Sequence, residues 1–211
     1  VILEEGEELA LKRLRFGLIP CWAKGGKTEV WRKFMMTFNA RCESVFDLAS
    51  YRSPVRRQRC LIPVRGWHEW PVRETPFYIH RSDDKPLLLA GIWDCWESKD
   101  PADEETGAVV TSMSVITTPP GAYMAKFHDR SPLVLEGERA LAWINSDQSQ
   151  DALRAMMEPY DSPNLQAYRV STAVNRATNK EPSVCDPVSL PVPHGDAPIT
   201  EAEAMLPLKM F

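Results

Sequence analysis

The middle of the chain is a succession of short apolar stretches separated by glycine, proline and polar residues. Short apolar stretches bounded by turn-forming residues predict consecutive antiparallel strands. The longest apolar run, Leu87–Ile92, suits a buried strand. The predicted strands are Cys60–Val64, Trp67–Trp70, Phe77–His80, Leu87–Trp93, Met113–Thr118, Pro132–Leu135 and Tyr168–Ser171.

The N-terminal part of the chain has a weaker pattern. Lys12–Ile19 alternates loosely between polar and apolar residues, which predicts a strand, and Met36–Ala40 predicts a second extended segment. A glycine pair beginning at Gly25 marks a loop between them. Over Glu43–Gln58 apolar residues recur at mixed helical spacing until Pro54 interrupts them, so a short helix followed by a basic turn is expected there.

Helical patterns are clearer toward the C-terminus. Gly137–Ile144 and Gln150–Met157 both predict helices, and Ser149 is placed to cap the second one. Pro120–Phe127 predicts one or two helical turns. Asp94–Gly107 is acidic and rich in turn residues, which predicts an exposed excursion.

No change of composition along the chain indicates a linker between domains. The last 25 residues contain five prolines, so residues 188–211 are predicted to form an extended, proline-rich tail. The elements together predict a single α+β domain over residues 1–211. It would be built on many short, mostly antiparallel strands with a few peripheral helices.

The composition is typical of a soluble globular protein. The 211 residues are 44% hydrophobic and 26% charged, and no apolar run approaches the roughly 18 residues that cross a bilayer. The first residues lack the pattern of a signal peptide. Five irregularly spaced cysteines provide neither a disulfide framework nor a paired metal site. These features favour a cytoplasmic protein with no membrane partner and no metal or other cofactor.

The net charge of −4 conceals an asymmetry. Residues 12–65 contain 13 lysines and arginines against three acidic residues, a local net charge of +10, whereas the rest of the chain has a net charge of −14. A basic third on an acidic protein is what an anion-binding surface requires. An ordinary solvated surface has the same composition, so charge alone does not separate the two.

Two polar sites stand where the strand pattern predicts burial. Asn39 and Arg41 follow an extended segment and could hold a sugar and a phosphate, because a guanidinium matches phosphate in a bidentate way; the alternative is that Asn39 shapes a turn. Glu69 stands between Trp67 and Trp70, where desolvation would raise the pKa of its carboxyl and suit it to general acid–base catalysis. The alternative is a surface carboxylate on an edge strand.

A third candidate is His128, which Asp129 and Arg130 follow directly. A histidine titrates near neutral pH and a neighbouring aspartate can orient it. The alternative is a histidine that only satisfies hydrogen bonds, because adjacent residues need not face each other. The chain has four histidines and no HExxH motif, so a zinc site is not predicted.

Six segments of the chain follow one another in a specific order. They are Phe16–Trp22, Asn39–Glu43, Arg59–Pro63, Gly66–Trp70, His128–Pro132 and Val170–Asn175. Asn-Ala-Arg, Gly-Trp-x-Glu-Trp and His-Asp-Arg-x-Pro would each occur by chance, but their ordered combination is highly specific. From about Phe16 to Pro187 the chain resembles the SRAP family, the SOS-response-associated peptidases, and an SRAP-like fold is implied.

The resemblance implies a sensor of abasic sites in single-stranded DNA. In this family removal of the initiator Met exposes a cysteine whose α-amine attacks the ring-opened sugar, and whose thiol then closes a stable thiazolidine. An α-amine titrates near neutral pH and is a better nucleophile there than lysine. The implied partner is single-stranded DNA containing abasic sites, and the protein is expected to be a monomer.

The resemblance also assigns catalytic roles. Asn39 matches the residue that positions the sugar, and Glu69 matches the glutamate that handles protons during Schiff-base formation. His128 matches the histidine that assists ring opening and crosslink reversal.

DNA-binding roles follow from the same comparison. Arg41 matches the phosphate-binding arginine. Arg130 lies in the matching segment His128–Pro132, and the resemblance assigns it to DNA binding. Trp70 matches the aromatic residue at the junction between single strand and duplex.

The chain departs from the family at its start. The Met-Cys-Gly-Arg segment is absent, and Val1–Leu11 resembles the strand that comes after it, so the native N-terminus is expected to precede Val1. Two other interpretations stay open. One is a thiol peptidase or hydrolase that uses Cys60 or Cys42 with His128, and the other is a DNA-binding module without the crosslinking nucleophile.

Overall fold

The computed structural model describes residues 1–6, 8–103, 109–195 and 199. The strands are β1 (Ile2–Glu5), β2 (Glu8–Leu11), β3 (Arg15–Phe16), β4 (Asn39–Arg41), β5 (Arg59–Val64), β6 (Gly66–Val72), β7 (Thr75–Arg81), β8 (Leu87–Glu97), β9 (Val109–Thr118), β10 (Ser131–Pro132), β11 (Val134–Leu135) and β12 (Leu165–Arg169). The helices are α1 (Lys27–Lys33), α2 (Pro54–Arg57), α3 (Gly137–Ile144) and α4 (Gln150–Met156).

The residues group into two compact units. Unit 1 comprises Val1–Pro63, Leu88–Thr118 and Pro132–Glu158, and unit 2 comprises Val64–Leu87, Pro119–Ser131 and Pro159–Phe211. The prediction of a single domain over residues 1–211 stays a prediction, and each unit is described by itself.

Unit 1 is built on a mixed sheet. Its described strands run in the order β10-β9-β8-β5-β1-β2, with β11 paired to β8 and both β3 and β4 paired to β9. The core contains Ile92, Ile116 and Trp143, all of which are fully buried. Burial of each such side chain contributes roughly 1.5–3 kcal/mol, which fixes α3 against the sheet.

Unit 2 is built on a three-stranded antiparallel sheet in the order β12-β7-β6. Phe77, Ile79 and Leu165 are buried on one face, where Phe127 packs against them. Gly66 begins β6 at a crowded position, because a Cβ there would lie 2.2 Å from the carbonyl oxygen of Ile79. Only glycine allows β6 to approach β7 at this point.

The segment after β12 returns along that strand. The N–H of Val188 donates to the carbonyl of Arg169 at 2.8 Å, and the N–H of Val192 donates to Ala167 at 2.7 Å. The His194 ring stacks on Tyr123 with centroids 4.1 Å apart. These contacts hold the first residues of the predicted tail against unit 2, while residues 196–198 and 200–211 of that tail lie outside the described part of the chain.

Much of the predicted architecture is confirmed. The protein is an α+β structure of short, mostly antiparallel strands with few helices. Helix α3 has the predicted bounds, and α4 begins after Ser149, whose Oγ accepts the N–H of Ala152 at 3.2 Å. The turn predicted within Pro120–Phe127 is a 3₁₀ helix at Met124–Lys126.

Several predictions near the N-terminus are wrong. Lys12–Ile19 contains only the two-residue strand β3, and the segment before Asn39 is turn rather than strand. Residues 43–53 form hydrogen-bonded turns, and the helix there is limited to α2, from Pro54 onward. Proline is well suited to the first helical position because its missing N–H would be unpaired there in any case.

The predicted acidic excursion is also partly wrong. Asp94–Glu97 still belongs to β8, and Asp94 is buried because its carboxylate accepts the backbone N–H groups of Cys21 and Cys95, each at 2.8 Å. Pro101–Asp103 forms a 3₁₀ turn. Residues 104–108 of the predicted excursion lie outside the part of the chain that the structure describes.

Candidate functional site

Glu69 lies on the inner face of the small sheet of unit 2. Glu69 pairs with Phe77 of β7, and Trp67 pairs with Ile79 of the same strand. Because side chains alternate along a strand, these four side chains lie on one face of the sheet. The Glu69 carboxyl accepts a hydrogen bond from the indole N–H of Trp67 at 3.0 Å. The predicted placement of Glu69 among aromatic side chains is therefore confirmed for Trp67.

Burial raises the pKa of the Glu69 carboxyl to about 7. The charge of His128 and the hydrogen bond from Trp67 lower the pKa against this trend, and the charge of Asp129 raises it. Desolvation dominates because the ionised carboxylate loses water on the apolar face of the sheet. A carboxyl with this pKa exists in both protonation states near neutral pH, so it can donate and accept protons there.

His128 lies close enough to Glu69 for their charges to interact. Its Nδ1 accepts the backbone N–H of Arg130 at 2.9 Å and lies 2.8 Å from Oδ1 of Asp129. In the neutral ring this arrangement puts the hydrogen on Nε2, and in the charged ring Nδ1 donates to Asp129 while Nε2 keeps its hydrogen. Nε2 therefore carries a hydrogen and can donate a hydrogen bond in both states.

A β-bulge or irregularity lies in β6 between Glu69 and Val72. The pairing of β6 with β7 shifts by one residue after Glu69, and such a shift redirects the side chains that follow it. Trp70 is 43% exposed. Its indole N–H donates to Oδ1 of Asn175 at 2.8 Å, and Nδ2 of Asn175 donates to the carbonyl of Glu74 at 3.2 Å. Asn175 thus ties the Trp70 ring to the turn between β6 and β7.

Asn39 and Arg41 lie in unit 1, on strand β4. They pair in parallel with Val115 and Thr117 of β9, and both are exposed, while Ala40 between them is fully buried. Alternation on the strand therefore presents the amide and the guanidinium on one side of the chain. Asn39 is not a turn residue, so that alternative is wrong.

Unit 1 also has a basic and aromatic surface that the sequence analysis did not identify. We call it the Trp31 surface, and it comprises Arg15, Phe16, Lys27, Trp31 and Phe38. The Arg15 guanidinium lies 5.1 Å and the Lys27 ammonium 5.5 Å from the Trp31 ring centroid. The rings of Phe16 and Phe38 pack in a tilted arrangement, with centroids 4.9 Å apart and planes at 51°. Cations close to exposed rings are typical of surfaces that bind single-stranded nucleic acids.

The Trp31 surface lies on the same sheet edge as Asn39. Strand β3 pairs with β9 at Ser112 and Met113, and β4 pairs with the same strand from Val115 onward. Arg15 and Arg41 therefore both lie beside β9, opposite Ser112 and Thr117 respectively. The signal for this surface was the basic composition of residues 12–65, but α1, which carries Trp31 and Lys27, has too short a pattern to be found in advance.

The cysteines proposed as alternative nucleophiles are packing residues. Cys60 is fully buried, and burial raises the pKa of its thiol to about 12. Cys42 packs against the hydrophobic core of unit 1. A thiol with such a pKa is almost never ionised at neutral pH, and the thiolate is the nucleophile. This arrangement argues against a thiol hydrolase built on Cys60.

The described residues contain neither a cluster of metal-binding side chains nor a helix that could span a membrane. Nowhere in residues 1–6, 8–103, 109–195 and 199 are three or more His, Cys, Asp or Glu side chains grouped to hold a metal. None of the helices in the same ranges is long and apolar enough to cross a membrane.

Comparison with known proteins gives a consistent result. The family model described as SOS response associated peptidase (SRAP) matches residues 1–177. The chain is 32% identical over 190 residues to the abasic site processing protein YoqW of Bacillus subtilis, covering 88% of this chain and 80% of that protein. It is 26% identical to the abasic site processing protein HMCES of Gallus gallus, covering 96% of this chain and 65% of that protein.

A solved structure has the same fold. The crystal structure of a Bacteroides thetaiotaomicron protein superposes with a TM-score of 0.77 at 26% identity, covering 88% of this chain and 79% of that one. The predicted SRAP-like fold is confirmed.

Proposed function

This chain belongs to the SRAP family, and we propose that it captures abasic sites in single-stranded DNA as a covalent DNA–protein crosslink. The observation that carries the proposal is the Glu69 carboxyl in unit 2, which has a pKa of about 7 and lies close enough to His128 for their charges to interact. Relatives of this chain are described as abasic site processing proteins. Processing of an abasic sugar requires proton transfer near neutral pH, which this pair supplies.

The proposed reaction has two bond-forming steps. The α-amine of an N-terminal cysteine adds to the aldehyde of the ring-opened sugar, and loss of one water gives the Schiff base. The cysteine thiol then adds to the carbon of the protonated imine and gives up its proton, which closes the thiazolidine. Removal of the initiator Met, which frees that α-amine, is the peptidase activity that we propose for this chain.

The side chains of unit 2 would move the protons. Protonated Glu69 donates to the hydroxyl that leaves as water, and the carboxylate then takes up the thiol proton. His128 offers its Nε2 hydrogen to the sugar oxygen during ring opening, and Asp129 stabilises the charged ring. Arg130 and Trp70 are proposed to contact the DNA.

The side chains of unit 1 would bind the strand. Arg41 binds a phosphate through its guanidinium and Asn39 positions the sugar. The Trp31 surface extends this edge with cations for the backbone and a ring for base stacking.

A denaturing gel tests the proposal against the non-covalent alternative. The native gene product with its own start is incubated with a single-stranded oligonucleotide carrying one abasic site, and with the same oligonucleotide carrying an intact base. We expect a heat-stable adduct with the abasic strand alone. Salt-sensitive binding of both strands without any adduct would instead indicate a DNA-binding module.

Arg41 gives a prediction for binding. Arg41→Ala should weaken binding of single-stranded DNA about five- to tenfold at 50 mM salt, and should reduce the slope of log K against log salt by about 0.7, because one phosphate contact is lost. Fluorescence anisotropy over a salt series measures both quantities.

A matched control separates contact from overall charge. Arg139→Ala removes the same charge from an exposed position on α3. If Arg41→Ala and Arg139→Ala lower the slope equally, Arg41 contributes only to the general field and the proposed phosphate contact is wrong.

A further inference from the structure

Strand β2 lies at the edge of the mixed sheet in unit 1. The strand order ends at β2, which pairs with β1, and in the described part of the chain no other strand lies along its outer side. On this strand Leu9 is 58% exposed and Leu11 is 78% exposed. An edge strand that presents exposed apolar side chains and unpaired peptide groups is a template for pairing with another strand.

The backbone groups of Leu9 and Leu11 point away from β1. Val1 and Lys12 exchange both of their backbone hydrogen bonds, at 2.8 and 2.9 Å, so they form a hydrogen-bonded pair. Such pairs recur at every second residue of an antiparallel ladder, so Ala10 also turns its backbone groups toward β1. Leu9 and Leu11 alternate with these residues and therefore direct their N–H and C=O groups to the open side.

The sequence from Glu8 to Lys12 is complementary to itself when two copies run antiparallel. With a twofold axis at Ala10, Leu9 of one copy lies opposite Leu11 of the other, and Glu8 lies opposite Lys12. Each leucine pair then exchanges both of its outward backbone hydrogen bonds. A shift of the pairing by two residues would put a charged residue opposite Ala10 and lose the ion pairs, so charge selects this register.

Glu8 has an unfavourable neighbour within the single chain. It pairs with Glu5 of β1, and like charges directly opposite each other destabilise a sheet. Lys12 forms an ion pair of 3.0 Å with Glu5, whereas among the described residues no cation pairs with Glu8. Lys12 of a second copy would supply that cation. The ion pair to Glu5 joins two half-exposed side chains, so its rearrangement costs little.

We propose that β2 is a self-association surface, on which a second copy of this chain adds its own β2 antiparallel to the first across a twofold axis at Ala10. The contact is isologous, since the same residues serve on both copies. Because a single short strand forms it, the association is weak and depends on protein concentration. The inference does not depend on the proposed DNA chemistry, and it replaces the monomer that was expected from the sequence.

Charge reversal tests the pairing and its register by sedimentation velocity. The native gene product should dimerise with a Kd of roughly 10–100 µM, as expected for a small contact. Glu8→Lys and Lys12→Glu should each raise this Kd about tenfold or more, because each variant puts like charges opposite each other at both ends of the contact. An equimolar mixture of the two variants should dimerise like wild type, because opposite charges then face each other again.

The control variants make the same charge changes elsewhere in unit 1. Glu97 and Lys99 form an exposed ion pair, and Glu97→Lys and Lys99→Glu, alone or mixed, should keep the wild-type Kd. Wild type that stays monomeric at about 500 µM, well above the expected Kd, overturns the proposal. A dimer that both β2 variants form as tightly as wild type also overturns it, as does a mixture that stays monomeric while wild type dimerises.

Hydrogen exchange tests the backbone contact independently. The amide protons of Leu9 and Leu11 should exchange more slowly as the protein concentration rises through the Kd, while that of Ala10, which faces β1, should change much less. Slow exchange of Leu9 and Leu11 at every concentration would mean that another segment of the chain covers this edge. Fast exchange at every concentration would mean that nothing pairs there, and either result overturns the proposal.

Discussion

Glu69→Gln should slow formation of the DNA adduct by about 10²- to 10⁴-fold, the usual range for loss of a general acid–base group. Glutamine keeps the shape of the side chain and an oxygen that accepts the Trp67 indole hydrogen at the position where the carboxyl accepts it. What is lost is only the exchangeable proton. Adduct formation under single-turnover conditions, followed on a denaturing gel, measures the rate.

The pH profile identifies the group that is lost. With a pKa of about 7, Glu69 stops acting as a proton donor as the pH rises above 7, while an N-terminal amine, with an ordinary pKa of about 7.7–8.0, becomes nucleophilic over the same range. The wild-type rate should therefore pass through a maximum near pH 7–8. Glu69→Gln should lose the alkaline limb and keep the acidic limb.

Stability separates a chemical role from a structural one. Because the pKa of Glu69 is raised on folding, the folded protein binds the extra proton more tightly than the unfolded chain, and this stabilisation is lost as the pH rises from about 4.5 toward 7. At pH 8 the ionised carboxylate is a cost that glutamine removes. The free energy of unfolding of Glu69→Gln at pH 8 should thus equal or exceed that of wild type.

The exposed Glu138 on α3 supplies the control, and Glu138→Gln should match wild type in rate and pH profile. A Glu69→Gln variant that reacts at the wild-type rate, with both limbs intact, would remove Glu69 from the proposed mechanism.

Arg59→Met should lower the free energy of unfolding by about 3–5 kcal/mol. Arg59 is 3% exposed and its guanidinium donates to the carbonyls of Val55, Arg56, Trp143 and Asn145. These carbonyls lie at the ends of α2 and α3, where the helix dipole is negative. Methionine fills the space but leaves buried acceptors without donors.

Two opposing effects act on the pKa of the Arg59 guanidinium. Burial lowers the pKa of the guanidinium, and the negative charge of Glu4 opposes the shift. Arginine alone among the basic residues offers five donors in a rigid planar fork, so Arg59→Lys should recover only part of the loss.

Urea unfolding followed by circular dichroism checks the Arg59 prediction. Arg57 is the last residue of α2, is exposed, and provides the control, since Arg57→Met should change stability by about 0.5 kcal/mol or less. Equal midpoints for Arg59→Met and Arg57→Met would show that the buried hydrogen bonds contribute nothing to stability.

Local patterns predicted the elements whose signals lie within one stretch of sequence. Helix α3 and the Ser149 cap could be found because helical spacing and a capping hydroxyl need no tertiary contact. Strands β6 to β9 could be found because each is bounded by turn residues. The sequence predicts Asp94 to be exposed because acidic residues favour solvent, whereas two backbone N–H groups satisfy its carboxylate inside unit 1.

The N-terminal errors have a common cause. Strands β3 and β4 are two and three residues long and exist because β9 offers them an edge. Such strands have no period of their own, so pairing with a distant segment decides where they form. The same applies to α1, whose seven residues are too few for a stable helix without packing.

The residues of the candidate site could be proposed from the sequence, but the way they are arranged in space could not. Glu69 beside Trp67 could be inferred because the two residues share a strand face. The approach of His128 to Glu69 depends on how unit 2 packs, and the link from Asn175 to Trp70 joins residues far apart in sequence.

The central claim is that a covalent bond joins an N-terminal cysteine to the abasic sugar. The most direct measurement is the intact mass of the adduct between the native gene product and a single-stranded abasic oligonucleotide, followed by mapping of the modified peptide. We expect a mass equal to the sum of the two molecules less one water, with the modification on the N-terminal peptide. An adduct on an internal residue, or no adduct at all, would contradict it.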